Sequence, residues 1–273
     1  MKSIEGNFNN PDVNDLLNKH FIELRSVSPA GSTHVLDIAG LKDNTIKFWS
    51  LWENNEIIGC GALNANTTGT GNTGVGRDAL VLNTTANYNT AVGYRAQYRN
   101  TTGTANTAVG KGALDANTTG NYNTGLGFYA LSSATTAQKN TAVGINALAS
   151  NTTAHENTAV GRNALCTNTT ESNNTAVGYH SIFANTDGYK NTAVGSFSLC
   201  SNTTGYEHTA IGQDAMCQNT TAVRSTAVGF KALFNQTTTG GYNTALGHTT
   251  LCLSLIHISE PTRRYAISYA VFC

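Results

Sequence analysis

The chain has 273 residues and no net charge, and only 12% of its residues are charged, about half of the usual share. It contains no basic run that would bind nucleic-acid phosphates, no apolar segment long enough to span a bilayer, and no apolar signal-peptide core in its first eight residues. We therefore expect neither nucleic-acid binding nor membrane insertion.

Residues 1–63 form the first predicted domain. They carry 13 of the 32 charged residues and both tryptophans, and they contain no repeat. After an initial strand, Asn10 caps and Pro11 opens a predicted helix. Its apolar face comprises Val13, Leu16, Leu17, Phe21 and Leu24. Segments 46–52 and 57–63, on either side of a polar turn, predict a β-hairpin.

This order of elements, with FWSLWE at 48–53 and IIGCGAL at 57–63, resembles the start of a Gcn5-related N-acetyltransferase. The resemblance implies acetyl-CoA as cofactor, bound by an Arg/Gln-x-x-Gly-x-Gly/Ala turn that opens a helix. No Arg or Gln stands three residues before a glycine in this chain. We therefore interpret residues 1–63 as a truncated fragment and expect no cofactor and no catalysis.

A repeat fills residues 64–252, the second predicted domain. Eleven copies of an Asn-Thr-Ala-Val-Gly phrase recur, ten of them at a 17-residue spacing from Gly76 to Gly229 and the last, after one inserted residue, ending at Gly247. We number the positions of each unit from the Asn of this phrase, so that the phrase fills positions 1 to 5. Ala and Leu follow at positions 8 and 9, Asn-Thr-Thr fills positions 12 to 14, and the other positions vary. Such a period predicts a mainly β fold, a parallel β-solenoid of the left-handed β-roll type, with one coil per unit.

Strand alternation places positions 2 and 4 on one face. Because position 4 is always aliphatic and position 9 is aliphatic or Met in ten of eleven coils, we expect both to line the interior, with Gln97 as a local weakness. The predicted core ladder comprises Val75, Val92, Val109, Val143, Val160, Val177, Val194, Leu114, Leu148 and Leu165. Repeated Asn and Thr side chains should form ladders along the stack at about 4.8 Å.

Positions 3 and 8 carry only small residues, Ala or Gly at one and Ala, Ser or Thr at the other. We expect a close neighbour against this face, either a second layer or another subunit, and therefore a homotrimer. The variable turns concentrate aromatic and cationic residues, which favours contacts with a glycan or a host surface protein. Shielding of the coil edges is the alternative role. The candidate ligand-contact residues are Tyr94, Arg95, Phe128, Tyr129, Tyr179, His180, Phe230, Tyr122, Tyr189 and Tyr206.

The Asn-Thr-Ala-Val-Gly phrase resembles the Asn-Ser-Val-Ala-Ile-Gly coils of trimeric autotransporter adhesin heads and the repeats of phage and large-virus fibre proteins. The resemblance covers residues 72–251 and implies three β-rolls side by side that serve in attachment. It also implies an extracellular, cell-surface or virion location for the parent of the repeat. The unit is longer than the adhesin-head coil, so we expect a wider roll.

Residues 253–273 are similar to the translation of a transposase-type sequencing adapter, in Leu253–Arg263 and again in Ile267–Cys273. We expect a non-native, disordered tail and exclude it from the fold. Segment 59–63 suits both the acetyltransferase pattern and the repeat, since Gly59 lies 17 residues before Gly76. We interpret the chain as a chimera joined there.

Four cysteines, Cys166, Cys200, Cys217 and Cys252, occupy position 10 of their coils. Cys200 and Cys217 fall on neighbouring coils, so a disulfide is one alternative and unpaired thiols are the other. The histidines show no metal-ligand spacing, and we expect no metal. Three functions remain: attachment by the repeat, acetyl transfer by residues 1–63, and ice binding by Thr ladders.

Overall fold

The computed structural model describes residues 2–5, 49–53, 56–60, 65–235 and 241–252, with side chains for the last two ranges. Strands β1 (Lys2–Glu5), β2 (Trp49–Glu53) and β3 (Glu56–Cys60) form an antiparallel sheet in the order β1-β2-β3. β2 and β3 overlap the two segments predicted for a hairpin. The helix predicted to begin at Pro11 and the tail 253–273 lie outside the described residues.

The repeat folds as a β-solenoid, which confirms the predicted fold class. Each coil contributes one strand of three residues, and the eleven strands form a single parallel sheet in sequential order. Neighbouring coils align identical positions, as in the pairing of Thr175 with Thr192 and of Val177 with Val194. The strands are β4 (Thr73–Val75), β5 (Thr90–Val92), β6 (Thr107–Val109), β7 (Thr124–Leu126), β8 (Thr141–Val143), β9 (Thr158–Val160), β10 (Thr175–Val177), β11 (Thr192–Val194), β12 (Thr209–Ile211), β13 (Thr226–Val228) and β14 (Thr244–Leu246).

Glycine ends every strand of the repeat for two steric reasons. At Gly93 the backbone has φ +128°, a region that L side chains rarely adopt, and a Cβ there would lie 2.8 Å from the carbonyl carbon of Gly110 in the next coil. The chain therefore turns sharply at this position while the coils stay in register. This explains why position 5 never varies.

The Leu at position 9 enters the interior through a left-handed backbone conformation. Leu114 has φ +53°, and its N–H donates to the carbonyl oxygen of Ala130 in the next coil at 3.0 Å. A non-glycine residue in this region costs on the order of 1 kcal/mol. The inter-coil hydrogen bond and the full burial of the Leu side chain offset that cost.

The interior is built from small and branched aliphatic residues in alternation around the coil. Positions 3, 8 and 9 are buried in every coil between the first and the last, as in Ala108, Ala113 and Leu114. Leu114, Leu148 and Leu165 of the predicted core ladder are all among these buried residues. Because Ala occupies two of the three positions, opposite walls of the coil approach closely and Leu fills the remaining space.

Two buried asparagine ladders run along the stack. At position 12, Asn100 donates to the side-chain oxygen of Asn83 at 2.9 Å, and Asn117 donates to that of Asn100 at 2.8 Å. At position 1, the side-chain oxygen of Asn89 accepts from the backbone N–H of Asn106 at 3.0 Å. The side-chain amide of Asn106 donates to the carbonyl oxygen of Gly120 at 2.8 Å. These ladders satisfy polar groups that the narrow interior shields from water.

The expectation that position 4 lines the interior is wrong. Val75 is 46% exposed and Val194 is 38% exposed, whereas the Ala between Thr and Val is buried in every described coil that has it. Alternation determines which residues share a face, but the interior of the coil is narrow and has room only for the small Ala of position 3. The same correction applies to the other valines of the predicted ladder, which are half-buried on the outer face: Val92, Val109, Val143, Val160 and Val177.

The small residues at positions 3 and 8 do have a close neighbour, but it is neither a second layer nor another subunit. They pack against the Leu side chains of the same chain inside the coil. The homotrimer prediction therefore loses the face on which it was based. Gln97 occupies position 9 and is fully buried, and neither polar atom of its side chain has a hydrogen-bond partner.

Candidate interaction surfaces

Thr and aliphatic side chains form a continuous outer surface along the parallel sheet, here named the Thr–Val face. Position 2 supplies one row and position 4 the other, and each side chain is half-buried or exposed. The first row comprises Thr73, Thr90, Thr107, Thr124, Thr141, Thr158, Thr175, Thr192, Thr209, Thr226 and Thr244. The second comprises Val75, Val92, Val109, Leu126, Val143, Val160, Val177, Val194, Ile211, Val228 and Leu246.

The hydroxyl groups of the Thr–Val face differ from those at position 13. At position 13, the hydroxyl of Thr84 donates to the carbonyl oxygen of Thr101 at 3.0 Å, and Thr101 repeats this bond to Thr118. The position 2 hydroxyls make no such bond to any residue that the structure describes. One Thr row is therefore part of the stack, whereas the other remains open to an external partner.

Variable positions 6 and 7 form the first turn row, which begins with alternating cations and rings. The guanidinium of Arg77 lies 4.6 Å from the ring centroid of Tyr94, and Lys111 Nζ lies 6.0 Å from the same ring on the other side. Arg95 lies 4.5 Å from the ring of Tyr98. Such cation–π contacts fix the orientation of the rings on an exposed turn.

Arg95 also pairs with an acid of the next coil. Its Nη2 lies 3.3 Å from Oδ1 of Asp115. Burial raises the pKa of Asp115, and the charge of Arg95 offsets only part of that effect. Because its guanidinium is already paired and stacked, Arg95 is less available to a ligand than its place in the sequence indicates.

Phe128 and Tyr129 pack edge to face with centroids 4.4 Å apart. Lys111 Nζ lies 5.5 Å from the ring of Phe128 and 5.9 Å from that of Tyr129. The Tyr129 ring covers Gly112 and leaves no room for a Cβ there. Tyr129 therefore has a packing role, while Phe128 is 44% exposed.

Tyr179 and His180 belong to an aromatic cluster. The ring of His180 stacks on Phe183 at 4.5 Å, and both Tyr179 and His180 contact Phe197 of the next coil. His180 Nε2 lies 2.9 Å from Nδ2 of Asn163. Burial, followed by the charge of Arg162, lowers the pKa of His180. Further along the row, the ring centroids of Phe230 and His248 lie 5.0 Å apart.

The last two positions of each unit form the second turn row. Tyr189 and Tyr206 stack in parallel, with centroids 4.8 Å apart and an interplanar angle of 4°. The guanidinium carbon of Arg224 lies 5.3 Å from the ring centroid of Tyr206, and Nε of the same residue lies 2.7 Å from Oε2 of Glu207. The hydrogen bond from Arg224 lowers the pKa of Glu207. Tyr122, in the same row, is 62% exposed.

The ten candidate residues thus lie on two separate rows, and nine of them contact rings or cations of this chain. These contacts support the alternative in which the rings shield the coil edges. Sequence reasoning missed the Thr–Val face. The small residue at position 3, between Thr and an aliphatic residue, was the signal that could have revealed this face.

Neither a metal-ligand cluster nor a membrane-spanning helix is found in the described part of the chain. Among residues 65–235 and 241–252, no group of three or more His, Cys, Asp or Glu side chains could hold a metal ion. No helix within the described ranges is long and apolar enough to cross a membrane.

Comparison with known proteins finds two short similarities. A stretch of 51 residues, 19% of the chain, is 43% identical to the uncharacterized N-acetyltransferase YsnE of Bacillus subtilis and covers 34% of that protein. A stretch of 53 residues is 40% identical to the uncharacterized N-acetyltransferase YedL of Escherichia coli and covers 33% of it. The chain thus spans about a third of the length of these relatives. No protein-family profile matches the chain, and neither does any solved structure.

Proposed function

We propose that the repeat is a structural and attachment module of a fibrous surface or virion protein, and that its Thr–Val face binds further copies of the same chain in a homotrimer. The observation that carries this proposal is the uninterrupted row of eleven outward aliphatic side chains, such as Val75 and Leu126. Single exposed apolar residues are common on soluble proteins, whereas a continuous stripe marks an interaction surface.

The size of the face fits self-association. Eleven strands spaced at about 4.8 Å give a length of about 50 Å, and three residues give a width of about 10 Å. Each chain therefore offers roughly 500 Å², and three such faces that meet at a threefold axis bury on the order of 1,500 Å² in total, which falls within the range of specific interfaces. No charged residue lies on the face, so association leaves no charge unpaired.

The turn rows would remain outside such an assembly and present rings to a glycan or host protein. Tyr122 and Phe128 are the most exposed of the candidate residues. Both lie on turns between coils, where side chains vary without affecting the stack. Carbohydrate recognition by these rings rests on the attachment proposal and is tested by a glycan array.

Sedimentation equilibrium of the full chain tests self-association. We expect a trimer for the unmodified chain and a monomer for a variant with Val109→Lys, Val143→Lys and Val177→Lys, because three like charges would face one another. The matched control places three lysines at exposed position 14, as Thr102→Lys, Thr119→Lys and Thr136→Lys. This control should remain trimeric, and a monomeric unmodified chain at micromolar concentration would contradict the proposal.

Ice binding is a second candidate, favoured by the open hydroxyls of the Thr–Val face. The in-register Thr row repeats at about 4.8 Å, and its hydroxyls have no partner in the described chain. The same face cannot be buried between copies and bind ice. A monomer with thermal hysteresis that the three valine-to-lysine substitutions abolish would favour ice binding over attachment.

Acetyl transfer is the enzymatic alternative, supported by the two short similarities. Our proposal excludes it for this chain because no Arg or Gln stands where the acetyl-CoA pyrophosphate turn requires one. Calorimetric titration of the full chain with acetyl-CoA should give no binding heat. A micromolar affinity would show that another pyrophosphate site exists.

A further inference from the structure

Position 10 of the coil carries four free cysteines, all half-buried: Cys166, Cys200, Cys217 and Cys252. Only Cys200 and Cys217 occupy consecutive coils. Phe183 takes this position in the coil between Cys166 and Cys200, and Phe234 takes it between Cys217 and Cys252. Among the coils that the structure describes there is therefore one isolated pair of neighbouring thiols, with Cys166 as an unpaired thiol in an equivalent position.

The stacked coils hold the pair at a distance suited to a covalent bond. The backbone N–H of Ser201 donates to the carbonyl oxygen of Cys217 at 3.0 Å, so the two coils are in register at this point. Neighbouring parallel segments lie about 4.8 Å apart, within the roughly 4.4–6.8 Å that separates the Cα atoms of a disulfide.

We infer that Cys200 and Cys217 are a dithiol modification site, which reacts with small-molecule disulfides and closes to a disulfide between adjacent coils. The backbone need not move, because the register of the solenoid already sets the spacing of the two residues. The inference is independent of the attachment proposal, since position 10 is not part of the Thr–Val face.

The surroundings of the pair distinguish the two thiols. The hydrogen bond from Cys217 lowers the pKa of Cys200 to about 7, with Ser201 adding a smaller effect in the same direction. Burial and Asp214 oppose this lowering. The shared hydrogen bond raises the pKa of Cys217, burial and Asp214 add to it, and Lys231 offsets a part. Because the two thiols influence each other, one of them ionises more readily than an isolated half-buried thiol; we assign Cys200 as the attacking group and Cys217 as the resolving group.

The reaction balances with oxidised glutathione as the oxidant. The Cys200 thiolate attacks one sulfur of glutathione disulfide, which releases one glutathione thiolate and forms a mixed disulfide. Cys217 then loses its proton to water and attacks Sγ of Cys200, which releases the second glutathione thiolate. Two protein thiols are oxidised, and one glutathione disulfide is reduced to two glutathione molecules, which take up the two protons.

Mass spectrometry of the full chain after incubation with oxidised glutathione tests the site. Trypsin alone leaves both cysteines on peptide 191–224, and additional cleavage after Glu207 separates them into 191–207 and 208–224. We expect these two peptides to be joined by a disulfide. At pH 7 Cys200 should react at least about fivefold faster than Cys166, whose pKa is raised by burial.

Two variants keep the test decisive. Cys217→Ala should leave glutathione trapped on Cys200 and slow its reaction, because the neighbouring thiol that lowers the pKa of Cys200 is lost. Cys166→Ala should leave the cross-link unchanged. Separate, unlinked peptides in the oxidised wild-type chain would overturn the inference, as would equal reaction rates of Cys200 and Cys166.

Discussion

Nε2 of His208 lies 2.6 Å from the carbonyl oxygen of Ala222, and Nδ1 of the same ring lies 3.2 Å from the backbone nitrogen of Ser225. A carbonyl only accepts and a backbone N–H only donates, so Nε2 carries the proton and Nδ1 accepts. Asn106 makes the equivalent pair of contacts through its side-chain amide. His208 thus replaces the Asn of position 1 as long as its ring is neutral.

Because His208 occupies a position that most coils fill with Asn, we predict that the chain loses stability in acid. Burial lowers the pKa of His208, so the folded chain binds the proton less readily than the unfolded chain. The contribution of His208 to the free energy of unfolding should be constant above the unfolded pKa of about 6.5 and should fall as the pH drops from there towards the folded pKa. Urea midpoints at pH 7.5 and 5.0 measure the difference.

His208→Asn should reduce this loss, because Asn supplies the same acceptor and donor without titrating. His248→Asn, at an exposed turn, is the control and should behave as the wild-type chain. An equal acid loss in the wild-type chain and in His208→Asn would contradict the role assigned to the buried ring.

Gln97→Leu should stabilise the chain. The buried amide of Gln97 has no partner for either polar atom, and other coils place an aliphatic or thioether side chain in this position. Removal of two unsatisfied polar atoms should raise the free energy of unfolding by about 1–3 kcal/mol. The reverse change in the next coil, Leu114→Gln, should lower it by a similar amount, and an unchanged urea midpoint for Gln97→Leu would show that its amide is satisfied.

Ala134→Asn should repair a gap in the position 12 ladder. The side-chain oxygen of Asn117 has no hydrogen-bond partner, and the coil that would supply one carries Ala134. The new amide should add about 1 kcal/mol to the free energy of unfolding. Asn100→Ala should open a comparable gap and lower the melting temperature. Equal melting temperatures for Ala134→Asn and the wild-type chain would show that water already satisfies Asn117.

The sequence was sufficient to predict the solenoid, its register and its polar ladders. Identical residues at a fixed spacing stack in only one register, as Thr175 on Thr192. Repeated Asn side chains have their partners one unit away, as Asn83 and Asn100 do. These features depend on the period alone, which the sequence displays directly.

The orientation of the strands could not be predicted from alternation. Thr175 and Val177 share one face and Ala176 lies on the other, but periodicity does not state which face is buried. Hydrophobicity favoured Val, whereas the narrow coil required Ala. The role of the turn rings was also beyond the sequence, because the burial of Gly112 under Tyr129 depends on where two neighbouring turns meet.

The outward orientation of the Thr–Val face is most directly tested by two adjacent substitutions in β10, compared by thermal melting at the same concentration, low enough that the chain is monomeric. Ala176 is fully buried, whereas Val177 lies on the outer face. Ala176→Lys should abolish the cooperative transition, because an unpaired charge in the interior costs several kcal/mol. Val177→Lys should change the free energy of unfolding by less than about 1 kcal/mol. The reverse result, with Val177→Lys unfolded and Ala176→Lys stable, would contradict the account.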